Sequence, residues 1–217
     1  MEPEKRSNIN FILILTHLLL GVLLLVGFVS KIVSIAVVFL GIIYIFTSKN
    51  KNNEAVYWSA YMVGAEVLFR MAGGTYLYEL PKYSILIFLT MGMSLERKRH
   101  HISVSYFIIM LLLLIGIAFV DIPFNANIRK AIAFNLSGPV LLVVSAIYFY
   151  KRELSINIIL KILYYMVLPI ISMLVLLYLK TPDFDKISFS SNASFAASGG
   201  YGPNQVATIL GFAVFIL

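Results

Sequence analysis

The sequence predicts an all-α fold: a polytopic transmembrane bundle of about eight helices, forming one membrane domain over residues 1–217. Three observations predict it. Hydrophobic residues make up 60% of the chain and charged residues only 12%, with a mean hydropathy of +0.93. Soluble chains carry about 25% charged residues, and half that charge cannot coat a water-soluble globule. Apolar runs recur along the whole chain between short polar stretches. A membrane helix needs roughly 20 apolar residues, so 217 residues leave room for few other structures beside the spans. The net charge of +7 is no nucleic-acid signature, because basic residues concentrate next to membrane spans. No nucleic-acid partner is expected; membrane lipid is. The chain has no cysteine, which excludes disulfides, thiolate metal sites and a cysteine nucleophile.

The first span, 9–29, follows the polar segment MEPEKRSN. A signal peptide shows the same order, but its apolar core is only about 7–15 residues and ends in a small-residue cleavage site. This run is longer, leads to Ser30 and Lys31 and has no such site. The second span, 32–47, is short and closes on Lys49-Asn-Lys51. The third, 55–71, carries Glu66 and Arg70 and is followed by Gly73-Gly74. The fourth, 83–95, is again short; continuation toward its basic end or local thinning of the bilayer accommodates it. The fifth, 102–120, begins behind the cluster Arg97-Lys-Arg-His-His101. The sixth, 131–150, is interrupted by Gly138-Pro139, and the seventh, 158–179, by Pro169. The eighth, 203–217, starts at Pro203 and stops at Leu217 without a polar cap, as expected of a chain cut inside a helix.

Lys and Arg in the loops orient the spans. Side one, counted from the N-terminus, holds Lys5, Arg6, Lys49, Lys51, Arg97, Lys98, Arg99, Lys151 and Arg152. Side two holds Lys31, Lys82, Arg129, Lys130, Lys180 and Lys186, while Arg70 and Lys161 fall within spans. The bias makes side one, with the N-terminus, cytoplasmic. The side-two segments are then 73–82, 121–130 and 180–202, and the last is the longest polar loop in the chain.

Three constellations can carry chemistry. Glu66 and Arg70 lie four residues apart and share a helix face. They are either a mutually neutralised structural pair or an anion site, in which Glu66 orients an arginine whose planar fork suits phosphate. Arg129 and Lys130 lead into the sixth span, where Asn135, Ser137, Gly138 and Pro139 sit at a helix break. Broken helices at membrane depth line ligand cavities, or they are ordinary kinks whose polar groups bond to neighbouring helices. Gly199, Gly200, Gly202, Asn204 and Gln205 surround the start of the eighth span. Glycines permit close backbone approach and a helix start attracts anions, so this loop is either a phosphate or sugar cradle or a plain helix-start turn. No Gly-Lys-Ser/Thr follows these glycines, so it is no P-loop. His17 is a lone packing histidine, and no histidine-carboxylate pattern marks a metal. No metal or other cofactor is expected.

The stretch 198–205, SGGYGPNQ, running into VATILGF, resembles bacterial O-antigen ligase and O-antigen polymerase-like membrane proteins. Residues 61–70, YMVGAEVLFR, with Gly73-Gly74, also look like early spans of that family. The resemblance covers most of the chain in layout. It implies a C-type glycosyltransferase of the bacterial inner membrane, which passes a glycan from undecaprenyl pyrophosphate to a lipid or sugar acceptor at the periplasmic face. It also implies outward-facing arginines on the pyrophosphate, with Arg70 the first candidate and Arg129 the second, and a catalytic histidine in a large periplasmic loop. This chain departs from the pattern there: it places no histidine on side two and shows about half the expected spans, matching the N-terminal portion of such an enzyme. The competing readings are a small transporter or flippase-like protein, which should show pseudo-symmetric halves, and a non-catalytic membrane subunit.

Overall fold

A computed structural model describes residues 3–74, 76–96, 103–117, 119, 128–181 and 194–216; at 3–9, 128–131 and 134 it describes the backbone alone. The described residues form eight α-helices and no strand. They are α1 (Pro3–Leu23), α2 (Gly27–Ser48), α3 (Glu54–Met71), α4 (Leu80–Leu95), α5 (Val104–Ile117), α6 (Ile128–Phe149), α7 (Ile156–Lys180) and α8 (Pro203–Ile216). A 3-10 turn, Ala196–Ser198, precedes α8.

The expected first span ended at residue 29, but α1 stops at Leu23 and α2 begins at Gly27. The turn between them consists of Leu24, Leu25 and Val26, closed by bonds from Leu25 N to Val22 O and Val26 N to Leu23 O, both 3.2 Å. These residues are as apolar as the helices they join, so hydropathy passes over the break. Lys31 therefore lies inside α2 rather than in a loop. By contrast, the α2–α3 turn is written in polar residues. Lys49, Asn50 and Asn53 adopt left-handed φ values of 54°, 50° and 63°, a conformation that asparagine tolerates. The Asn50 side chain accepts from Ala55 N at 2.8 Å and so anchors the first turn of α3.

Helix α3 is the centre of the bundle, packed against α2, α4, α7 and α8. Most of its residues are buried, among them Met62, Ala65, Leu68 and Phe69. Its approach to α7 is set by Gly64, where a Cβ would run into the carbonyl oxygen of Met166 and approach the Pro169 ring at 2.9 Å. Helix α1 meets α7 the same way at Gly21, whose Cβ would lie 2.6 Å from Ser172 O. Ser172 Oγ donates to His17 O at 2.6 Å. His17 itself is buried, with Nδ1 2.7 Å from Leu13 O and Nε2 3.2 Å from Tyr61 Oη. Small residues with satisfied polar groups thus let these backbones touch.

The contacts also give direction. α1, α3 and α7 run parallel, because His17 meets Ser172 and Met71 meets Lys180. α2, α4, α6 and α8 run the other way: Ser34 bonds Gly74, Ser137 bonds Glu79, and Tyr201 meets Tyr78. The described parts of the segments assigned to side two therefore gather at one end. Two helices, Gly27–Ser48 and Ile156–Lys180, are long and apolar enough to cross a membrane, and five further apolar stretches are shorter. Large apolar side chains cover the outside, as on α5, where no residue is buried and Phe107 and Leu112 are exposed at 65% and 61%.

Candidate functional site

Arg70 stands in the last turn of α3, where a cation faces the negative end of the helix dipole. Its side chain is only 6% exposed. Nη2 lies 2.7 Å from Glu66 Oε1 and 3.6 Å from Glu79 Oε2, yet it is aligned with neither for a hydrogen bond. Nε donates to Tyr78 O at 3.3 Å, and the Tyr78 ring covers the guanidinium at 4.0 Å from its centroid. Arg70 is thus fixed by charge and by an aromatic face, with donor capacity left over.

Glu79 carries the contact to the neighbouring helices. Pro81 occupies the first turn of α4, where a missing N–H does no harm, and Glu79 and Lys82 flank it. Lys82 Nζ pairs with Glu79 Oε2 at 2.7 Å. Ser137 Oγ, from α6, donates to the same oxygen at 3.0 Å and accepts from Lys82 at 3.4 Å. Glu79 Oε1 is buried without a partner. Charges of alternating sign, Glu66, Arg70, Glu79 and Lys82, therefore link α3 to α4 and end on Ser137 of α6.

A groove of about 510 Å³ opens beside Arg70, between α3 and α8. Val63, Glu66, Val67 and Arg70 line it from α3, at the spacing of one helix face. Asn204, Gln205, Thr208, Ile209 and Phe212 line it from α8. Because the helices are antiparallel, Arg70 sits at the same end as Asn204 and Gln205, and Val63 at the same end as Phe212. The groove is polar at its mouth and apolar along its length.

The turn before α8 sets that mouth. Gly199 and Gly200 adopt φ of 64° and 78°. Gly199 also lies where a Cβ would meet Leu177 Cδ1 at 3.3 Å and Met71 Sδ at 3.4 Å, which docks the turn onto α3 and α7. Four amides of this stretch are bonded within it: Gly200 N to Phe195 O, Tyr201 N to Ser198 O, and Gln205 N and Val206 N to Gly202 O. The expected backbone cradle is thus largely occupied, and polar reach into the groove comes from the Asn204 and Gln205 side chains. Tyr201 Oη donates to Gln205 Oε1 at 2.5 Å and lies 3.3 Å from Tyr78 Oη. Burial, reinforced by the hydrogen bond with Tyr78 and opposed by Arg70, pushes the Tyr201 phenol up to about 12. It stays protonated and keeps its hydrogen bond at ordinary pH.

Of the residues singled out in the sequence, Glu66, Arg70, Asn204 and Gln205 share the groove. Ser137 reaches it only through Glu79. Gly199, Gly200 and Gly202 shape the turn. Asn135 is exposed, with an interaction of its own. Arg129 and Lys130 lie in the first turn of α6, and their side chains fall outside the described residues. Tyr78, Glu79, Lys82 and Tyr201 were not anticipated. Glu79 and Lys82 had a signal, an acid and a base three residues apart around a proline at a helix start. Tyr78 and Tyr201 had none beyond lying near glycines.

The opposite end is built differently. Arg152 holds Glu96 by two bonds, Nη1 to Oε1 at 3.0 Å and Nη2 to Oε2 at 2.7 Å. Asn50 Nδ2 adds a third bond to Glu96 Oε1 at 2.6 Å, and Tyr148 lies under the Arg152 guanidinium at 3.9 Å. That network is a closed latch, whereas the Arg70 end leaves charged atoms unmatched. Among the described residues no group of three or more metal-ligating side chains occurs. Comparison with protein-family models, curated proteins and solved structures finds no match for this chain.

Proposed function

We propose that the chain is a polytopic inner-membrane protein of the O-antigen ligase or polymerase type, corresponding to the N-terminal part of such an enzyme. Its α3–α8 groove takes the polyprenyl pyrophosphate end of a lipid-linked glycan. The observation that carries this reading is the groove itself: two segments more than a hundred residues apart, the ones on which the sequence reading rests, meet as its two walls. The apolar wall of Val63, Val67, Ile209 and Phe212 suits an isoprenoid chain, and Arg70 at the mouth suits the pyrophosphate. Apolar side chains over the outer surface support a bilayer around the bundle, since a water-soluble protein rarely exposes such an area.

In this reading Glu66 and Glu79 hold Arg70 in place until an anion takes over its in-plane donors. Transfer forms a bond from an acceptor hydroxyl to the anomeric carbon and breaks the bond to the pyrophosphate. The hydroxyl proton leaves to a base, and undecaprenyl pyrophosphate departs with the bonding pair. Arg70 spreads the charge that accumulates on that leaving group. Retention of undecaprenyl pyrophosphate and of undecaprenol by the purified protein tests the groove. Arg70→Met is expected to lower retention of the pyrophosphate roughly tenfold or more, the effect of losing a charged hydrogen-bond donor, while undecaprenol is held as before. Equal loss of both lipids, or of neither, rejects Arg70 as the pyrophosphate contact.

A further inference from the structure

A second polar feature lies on α7, toward the opposite end of the bundle from the groove. Lys161 is five residues into α7, about 7.5 Å along its axis at ~1.5 Å per residue. It is exposed, and Ile159 and Leu160 beside it are exposed apolar side chains. Among the described residues its ammonium makes no ion pair and no hydrogen bond. It lies instead over two aromatic faces, 4.6 Å from the centroid of the Tyr57 ring and 5.9 Å from that of Tyr165. The two rings are 5.4 Å apart, and Tyr164 packs edge-on against Tyr165 at 5.9 Å. The Tyr164 hydroxyl is buried and has no partner.

The nearby acids do not explain this cation. Glu54 is buried, and its two carboxylate oxygens accept from Asn52 N at 3.0 Å and Asn52 Nδ2 at 3.1 Å. Glu96 is committed to Arg152. Arg70, Lys82 and Arg152 each meet a carboxylate, whereas Lys161 meets only π-faces. A cation over tyrosine rings is held in position by the ring quadrupoles but keeps its hydrogen-bond donors. An ammonium supplies three of them and is a point-charge partner for phosphate.

We infer that Lys161, seated on Tyr57 and Tyr165, binds the phosphodiester of an anionic phospholipid in the leaflet at the Lys151–Arg152 end of the bundle. The inference rests on the membrane reading above and not on glycan transfer. Lys161 stands one and a half turns inside the helix, the depth at which a lysine stem crosses the acyl boundary and its head meets the headgroups. Tyrosine belongs at the same level, with its ring in the apolar layer and its hydroxyl among polar groups. The exposed Ile159 and Leu160 then lie against the acyl chains of the same lipid.

The test reconstitutes the whole chain into phosphatidylcholine nanodiscs that contain phosphatidylglycerol as the minor component. Spin-labelled analogues of each lipid report the fraction held at the protein surface, and recovery in the nanodisc fraction reports insertion separately. The wild-type chain is expected to prefer phosphatidylglycerol, and Lys161→Gln should lower that preference about fivefold, the ratio that corresponds to the ~1 kcal/mol of one lysine at an anionic surface. Lys161→Arg should keep it, and Tyr57→Leu with Tyr165→Leu should weaken it with the lysine present. Failure to enter the nanodisc is failure of the membrane reading, whereas insertion without a preference that depends on Lys161 is failure of this inference alone. A preference untouched by Lys161→Gln in inserted protein overturns the inference. Removal of the preference by millimolar inorganic phosphate would show a soluble anion rather than a lipid as the ligand and overturn it equally.

Discussion

Arg70 is a buried cation whose hydrogen bonding is incomplete. A guanidinium almost wholly withdrawn from solvent normally has each donor bonded, because an unmet buried charge is expensive. Here Nη2 is placed between two carboxylates, 2.7 Å from Glu66 and 3.6 Å from Glu79, without alignment to either. If the arrangement serves an anion, Arg70→Lys replaces a planar fork by a point charge. The expected outcome is normal abundance in the membrane with weakened retention of undecaprenyl pyrophosphate. If the pair were structural alone, Glu66→Gln with Arg70→Met would be tolerated together, since no unpaired charge remains. Lipid binding at the wild-type level by that double variant rejects the anion site. Glu66 and Arg70 were legible in the sequence as a spacing of four on one helix. Glu79 as their third member was not, because it joins them only when α4 folds back against α3.

Among the elements, α8 and the turn before it decide whether a groove exists. Gly200 faces open space at a φ of 78°, so a side chain there meets no neighbour and its effect is on the backbone alone. Left-handed φ costs a non-glycine residue about 1–2 kcal/mol, and a β-branched residue is the least suited to it. Gly200→Val should therefore re-aim Tyr201 and the first turn of α8 while α3 stays in place. Retention of undecaprenyl pyrophosphate should fall several-fold with the membrane level unchanged. Gly211→Ala is the control, because that glycine lies within α8 at an ordinary helical φ with open space around it. Wild-type retention by Gly200→Val would leave the stretch a helix-start turn with no ligand. Hydropathy located this helix closely: the expected start at Pro203 is the observed one. It misplaced the end of α1, because an apolar turn between two apolar helices leaves no mark in composition.

Across the whole molecule, the two ends differ in how completely their charges are matched. The Arg152–Glu96 latch is bonded on both carboxylate oxygens, and the Arg70–Glu79 end is not. Under the proposed membrane reading, the loop charges assign the latch end to the cytoplasm and the groove end to the periplasm. Since the chain has no native thiol, single cysteines report this directly. Ser190→Cys, within the polar stretch outside the described residues, should react with an impermeant reagent added to spheroplasts. Lys51→Cys, in the exposed α2–α3 turn, should react only after permeabilisation. The reverse pattern would invert the orientation and move the groove to the cytoplasmic face.

The sequence by itself determined that the described residues are helical, how many α-helices they form and where the last six begin and end, to within three residues. Those properties are local: apolar runs of sufficient length, closed by prolines, glycines and basic clusters, need no information about partners. It also marked Glu66–Arg70 and the Gly-Pro turn as unusual, because charges inside an apolar run and clustered glycines are rare without a use. Only the tertiary structure decided that these two features face each other. That meeting depends on α3 and α7 packing in parallel through Gly64 and on Gly199 docking against Met71 and Leu177, which leaves α8 antiparallel to α3. Such contacts are set by the shapes of surfaces distant in the chain, and a one-dimensional pattern of hydropathy contains no term for them.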